Sequence, residues 1–321
     1  MQNISPFFKP LKHRTNRRAQ WHDYRSRSLY MLTFTCEKYR PALSVISHES
    51  GKTLAIPTEL GRAIEDEIRS IPLFHPEIRL YDFVIMPDHV HIILFVERQL
   101  ERPLGMTLSG FVGACNSCYS EDTLEKLFTH GFHDRIINRP GQLDMCRKYV
   151  MDNPRRLAMK RANPDLFRRY NHLVIEGREF AAYGNIFLLR DFDRQQVVVH
   201  RSDTVEIRRS NEHRWMASAA NGGVLVSPFI SPAEKMIRDR ALDFGCRLII
   251  LRNEGFEERF KPQGREFDLC ADGRLLLLAP WPDRLRRSAL SRAEALELNE
   301  LAAKIATFNG EMKILSLTLR V

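Results

Sequence analysis

Apolar positions recur along the chain with two different periods. Residues 30–36 are rich in apolar and β-branched side chains and predict a strand, closed by a turn at Pro41. Residues 58–70 carry Leu60, Ile64 and Ile68 every fourth position, with acids and bases between them, which predicts a helix. Residues 81–96 then predict one or two strands around a bend at Met86-Pro87-Asp88, the stretch HVHIILFV reading as a buried strand. Helices are expected over 104–118, over 120–130, and over 141–163, where Pro154 must restart or kink the last.

The polar stretch 164–176 reads as a boundary between two domains, expected at 25–170 and 180–321 behind a basic arm, 1–24. Beyond it, 197–200 and 224–226 predict short strands. Ser231-Pro232-Ala233-Glu234 predicts a helix start, with Ser as cap, Pro in the first turn and Glu reaching back. Gly245 stops that helix, and CRLIIL and GRLLLLAP predict two more buried strands, the order of a small parallel sheet. A last helix is expected over 291–308. The fold class is therefore α+β in the first part and α/β in the second.

Composition narrows the function classes. With 44% hydrophobic and 28% charged residues, 16 Gly and 16 Pro, the chain is of ordinary globular type. No apolar run nears the length of a membrane span, and the N-terminus lacks a secretory pattern, so the expected compartment is the cytoplasm, with no membrane partner. Six scattered cysteines predict reduced thiols. The net charge is +9, and the surplus lies mostly in residues 1–170, which hold 26 Lys and Arg against 19 Asp and Glu. Two segments concentrate it, 8–27 and 147–169, where Trp21, Tyr24 and Tyr149 are interleaved with cations. Aromatic rings that stack bases beside cations that hold phosphates point to nucleic acid, although either segment alone equally reads as a solvated face.

The chemistry concentrates in two places. His89 and His91 stand two apart on a strand, so both imidazoles share one face, a spacing that suits a metal, although on spacing alone two partly exposed or hydrogen-bonded histidines are the commoner reading. Tyr149 and Asn153 stand four apart on a helix and share a face there.

Taken together, YDFVIMPDHVHIILF and, about sixty residues on, KYVMDNPRRL resemble the single-tyrosine HUH transposase superfamily, and most closely its REP-associated tyrosine transposase branch. RSLYMLTFTCEKYRP and GFHDRII resemble the opening strand and the segment between the two motifs, so the likeness covers residues 25–160. Phe128-Thr129 and GFVGACNSC depart from the family's usual pattern. The resemblance implies a ferredoxin-like antiparallel HUH domain. In it His89, His91 and Asn153 would bind a divalent metal, Mg or Mn, and Tyr149 would attack single-stranded or hairpin DNA to form a 5′-phosphotyrosine. Arg17, Arg18, Trp21, Tyr24, Arg135, Arg147, Lys148, Arg155 and Arg156 would hold the DNA, with the chain a monomer or a homodimer. His133 and Asp134 read equally as backbone contacts or as turn caps. NGGVLVSPFISPAEKMIRDRALDFGCRLIIL with GREFDLCADGRLLLLAP resembles the Rossmann-like domains of some homologues, related in pattern to DNA-processing protein A; Gly222, Gly223 and Ser231 are its candidate phosphate contacts. Two rival functions remain at this stage, a hairpin-binding protein that does not cut and a nucleotide or nucleic-acid sensor acting through the second domain.

Overall fold

The computed structural model describes residues 18–49, 51–120, 125–129, 131–257, 260–284 and 289–314. The chain is mixed α and β and divides into two compact units, meeting in sequence between Ala158 and Met159. Arg17 lies outside the described residues.

In the first unit the elements run β1 (Ser28–Thr35), β2 (Ser44–Glu49), β3 (Lys52–Pro57), α1 (Glu59–Phe74), β4 (Ile78–Ile85), β5 (His89–Val96), α2 (Leu104–Thr107), α3 (Ser109–Tyr119), β6 (His133–Ile137) and α4 (Gln142–Ala162). Four strands form an antiparallel sheet in the order β4-β5-β1-β6, while β2 and β3 make a separate hairpin. Period-two alternation builds both faces of the sheet. Tyr30, Leu32 and Phe34 of β1, with Val90, Ile92 and Leu94 of β5, turn toward Ile64, Ile68 and Ile71 of α1 and Phe111 of α3. The odd positions Met31 and Ile93 turn the other way, onto Cys146 and Val150 of α4. Helix α1 begins where expected, because the Thr58 hydroxyl accepts from the Gly61 N–H.

One expectation needs correction here, and of the two effects expected of Pro154 the restart is absent. Glu125–Thr129 is not helical: Phe128 bridges to Cys36 beside β1, and the Leu127 N–H bonds the Asn116 side chain; residues 121–124 lie outside the described set. Pro154 does not divide α4, which runs unbroken from Gln142 to Ala162.

The second unit contains β7 (Arg169–Ile175), β8 (Arg178–Gly184), β9 (Arg194–Gln196), α5 (Val205–Ala220), β10 (Val224–Ser227), α6 (Pro232–Asp243), β11 (Arg247–Leu251), α7 (Arg265–Ala271), β12 (Leu275–Ala279), α8 (Arg292–Thr307) and β13 (Met312–Ile314). Its seven-stranded sheet has the order β13-β7-β8-β12-β11-β10-β9. Strands β9 to β12 are mutually parallel and the remaining three antiparallel, so the sheet is mixed where a parallel one was expected. The stretch read as a boundary contributes β7, whose Leu173 and Ile175 are buried on one face. The strand expected at 197–200 lies three residues earlier, at Arg194–Gln196. Leu298, Leu301 and Ile305 of α8 cover one face of the parallel strands; Trp215, Ile237 and Leu269 of α5, α6 and α7 cover the other.

Candidate functional site

The face of the first sheet that meets α4 carries the imidazoles. Alternation places His89 and His91 on the side of Ile93, with His91 5% exposed and His89 half-buried. Their rings lie 4.6 Å apart, centroid to centroid. Antiparallel register sets Thr33 of β1 beside His91, and the Thr33 Oγ1 and His91 Nδ1 are 2.8 Å apart. His89 Nδ1 lies 2.7 Å from an Asp88 carboxylate oxygen. In both residues Nδ1 is engaged by a side-chain oxygen, which fixes the ring plane.

Helix α4 supplies the other half. Cys146, Val150 and Asn153 are its buried stripe, and Tyr149 is half-buried at the stripe's margin. The Tyr149 ring lies 5.6 Å from that of His91, at 64°. One turn on, the Asn153 amide nitrogen donates to the Tyr149 carbonyl at 2.9 Å. That bond takes the donor end of the amide and leaves its oxygen as the end suited to a cation. Arg156, 8% exposed, places its guanidinium carbon 5.6 Å from the Tyr149 ring centroid.

Two imidazoles and an amide oxygen are neutral donors that suit a divalent ion and leave positions open for substrate oxygens. Among the described residues no group of three or more His, Cys, Asp and Glu side chains could hold a metal.

The cations proposed for DNA fall into two sets. Lys148 and Arg135 are exposed. Arg147 pairs with Asp82 at 2.5 Å and Arg155 with Asp152 at 2.6 Å, while Arg156 lies against Tyr149. Arg18 and Tyr24 both bond Asp134, Tyr24 at 2.7 Å, so Asp134 is a buried anchor for the residues before β1 rather than a backbone contact. Burial and this bond push the Tyr24 hydroxyl above its usual pKa. Trp21 is 72% exposed.

Gly222, Gly223 and Ser231 do not meet in one site. The glycines precede β10 and Ser231 follows it, at opposite ends of the strand. The Gly222 and Gly223 N–H groups donate to the Ala219 and Ser218 carbonyls at the end of α5, and a Cβ on Gly223 would stand 2.1 Å from the Ser218 hydroxyl. At Ser231 the anion position is filled by the chain itself: Glu234, 3% exposed, accepts from the Ser231 N–H at 2.9 Å and from the Val199 N–H at 3.2 Å. All three residues thus spend backbone N–H groups on bonds within the chain.

Thr33 and Asp82 were not singled out from sequence. Both act across strands or onto another element, and register is not written in the local pattern.

No family model matches the chain. A curated relative, an uncharacterized protein of Haemophilus influenzae, is 28% identical over 98 residues, which is 30% of this chain and 52% of that protein. The chain thus spans about half the length of the curated relative it matches. A solved structure described as a REP-associated tyrosine transposase bound to a REP hairpin is 13% identical, covering 44% of this chain and 74% of its own at a TM-score of 0.32. At that score the likeness fixes neither fold nor function. No helix among the described residues is long and apolar enough to cross a membrane.

Proposed function

We propose that the first unit is an HUH-type, single-tyrosine DNA endonuclease and strand transferase, of the REP-associated transposase kind, acting on single-stranded or hairpin DNA. One observation carries the reading: the Tyr149 ring lies against His91, with His89 beside it and Asn153 one turn along α4. The motifs M-P-D-H-x-H and Y-x-x-x-N-P, distant in sequence, supply all four residues. The four-stranded antiparallel sheet with helices on both faces would be the HUH core, and the succession β9-α5-β10-α6-β11-α7-β12 a Rossmann-like accessory unit.

His89, His91 and Asn153 would hold the metal, Mg or Mn, which when bound polarises the scissile phosphate and offsets its charge. The remaining chemistry belongs to the chain. Tyr149 attacks phosphorus in line; its phenolic proton is released and the departing 3′-oxygen takes one up, leaving a 5′-phosphotyrosine and a free 3′-OH. The bond energy is retained, so attack by a 3′-OH on the phosphotyrosine rejoins or transfers the strand. Arg156 places positive charge beside the nucleophile's ring, and Asn153 ties the helix turn that presents it.

The test is incubation with labelled DNA, each strand a hairpin with unpaired flanks of varied sequence, in Mg or Mn, followed by denaturing gels. A protein-DNA adduct is expected for the wild type and none for Tyr149→Phe, which should still bind. Tight binding with no adduct in any metal replaces this reading with that of a hairpin-binding protein that does not cut.

A further inference from the structure

Beyond the edge strand β6, residues 18–24 fold back and are held in place. Asp134, its side chain 4% exposed, accepts from the Arg18 guanidinium and the Tyr24 hydroxyl. Arg18 lies 3.8 Å over the Phe132 ring, and His22 Nε2 is 2.7 Å from the Tyr30 hydroxyl. An arm fixed at these points carries Trp21 outward, 72% exposed. Facing it, the turn between β6 and α4 contributes Asn138, Arg139 and Gln142, shaped by the Gln142 side-chain oxygen accepting from the Asn138 and Arg139 N–H groups at 3.0 and 3.1 Å. With Tyr24 and Asp134 these residues line a cavity of about 490 Å³, within the range of roughly 300–1,000 Å³ usual for small-ligand sites.

We propose that this cavity is a subsite for one unpaired nucleobase of the DNA strand, with Trp21 as its stacking platform, Arg139 its phosphate contact and the Asn138 amide at its polar edge. The proposal rests on the reading of the catalytic site given above and adds a residue-level basis for choosing where along the strand the cut falls. An exposed indole on a fixed arm offers a flat face for a base without first having to be ordered. The carboxylate in the cavity does not repel a polyanion, because Arg18 neutralises Asp134. Amides carry both donors and acceptors, as base edges require. Gln142 stands seven residues before Tyr149, close to two full turns, so both lie on one stripe of α4. The separation along the axis is roughly 10 Å, or roughly three nucleotides at the 3.4 Å stacked spacing. The base bound here would thus be an unpaired one near the scissile phosphate.

The experiment uses the full chain and Trp21→Ala, whose exposure makes the change harmless to folding. The probes are hairpin-bearing strands, with each unpaired position beside the hairpin replaced in turn by an abasic site, and equilibrium binding and adduct yield are both read. One position is expected at which base removal costs the wild type about tenfold in affinity and costs Trp21→Ala nothing further. Arg139→Ala should weaken every probe alike. If adducts form but no position behaves in this way, the subsite is overturned and the catalytic reading stands. If strands bind without adduct, the binding cycle still decides the subsite while the catalytic reading falls. Failure to bind any strand overturns both.

Discussion

Thr33 reaches His91 from a neighbouring strand and Asp88 reaches His89 from the adjoining bend, so the two imidazoles are oriented by different means. The Asp88 side chain is 78% exposed and the half-buried Thr33 is not, which makes Thr33 the stronger constraint. Thr33→Val keeps the shape and removes the hydroxyl. It should weaken Mn binding about 10- to 100-fold in titration calorimetry, with Thr33→Ser restoring most of the loss. A second expectation concerns Tyr30, whose hydroxyl burial pushes up to about 12 from an ordinary 10.0. The folded value is the raised one, so its contribution to stability is complete below pH 10 and is lost as pH rises toward 12. Urea midpoints measured across that window should fall further for the wild type than for Tyr30→Phe. The four residues of the candidate site could be read from sequence because each pair lies within one element, two apart on a strand and four apart on a helix. Thr33 could not, since its role exists only once β1 and β5 are in register. The ion pairs of Arg147 and Arg155 were hidden for a related reason: composition counts cations without showing which of them already face an acid.

Helix α4 is the element that joins the two halves of the site, and its sequence works against it, since Pro154 deprives the Val150 carbonyl of its usual donor. The Asn153 amide bonds the Tyr149 carbonyl in the same turn and gives the helix a local tie there. Asn153→Ala should therefore loosen the turn bearing Tyr149, seen as faster amide exchange at residues 149–153 with the rest of α4 unchanged. In the second unit Glu234 closes the start of α6 while reaching to Val199 beyond β9. Glu234→Ala leaves two half-buried N–H groups without their acceptor and should cost about 1 kcal/mol in urea unfolding, with Glu234→Gln milder. The capping pattern at Ser231 was plain in the sequence, as were the apolar runs of β5, β11 and β12 and the helices α1, α6 and α8. Strands β7 and β8 were not, because β7 opens on Arg169-Tyr170-Asn171-His172 and the segment reads as a linker until β12 offers β8 a pairing edge. The three residues of β9 are too few to carry a period, and Val197, buried just beyond them, drew the reading downstream.

Across the whole molecule the charge is unevenly shared, and salt dependence turns that into a measurement. Residues 1–170 carry a surplus of seven positive charges and 171–321 a surplus of two. In the first unit Lys148, Arg135 and Arg139 are exposed cations, whereas Arg147 and Arg155 are paired with acids at half-exposed positions. Such exposed pairs are worth roughly 0–1 kcal/mol, so a phosphate can compete for Arg147 or Arg155. With about four phosphates neutralised, the log-log slope for a single strand is about −3, and raising salt from about 50 to 200 mM should lower affinity about 50-fold. Fluorescence anisotropy at several salt concentrations gives that slope directly. Asp82→Asn releases Arg147 and should steepen it by about 0.7, while Lys148→Ala should flatten it by a similar amount. Trp21→Ala acts through stacking and should displace the line downward without changing its slope. A change of slope on losing Trp21 would mean that the arm acts through its charge, and would leave the nucleobase subsite without support.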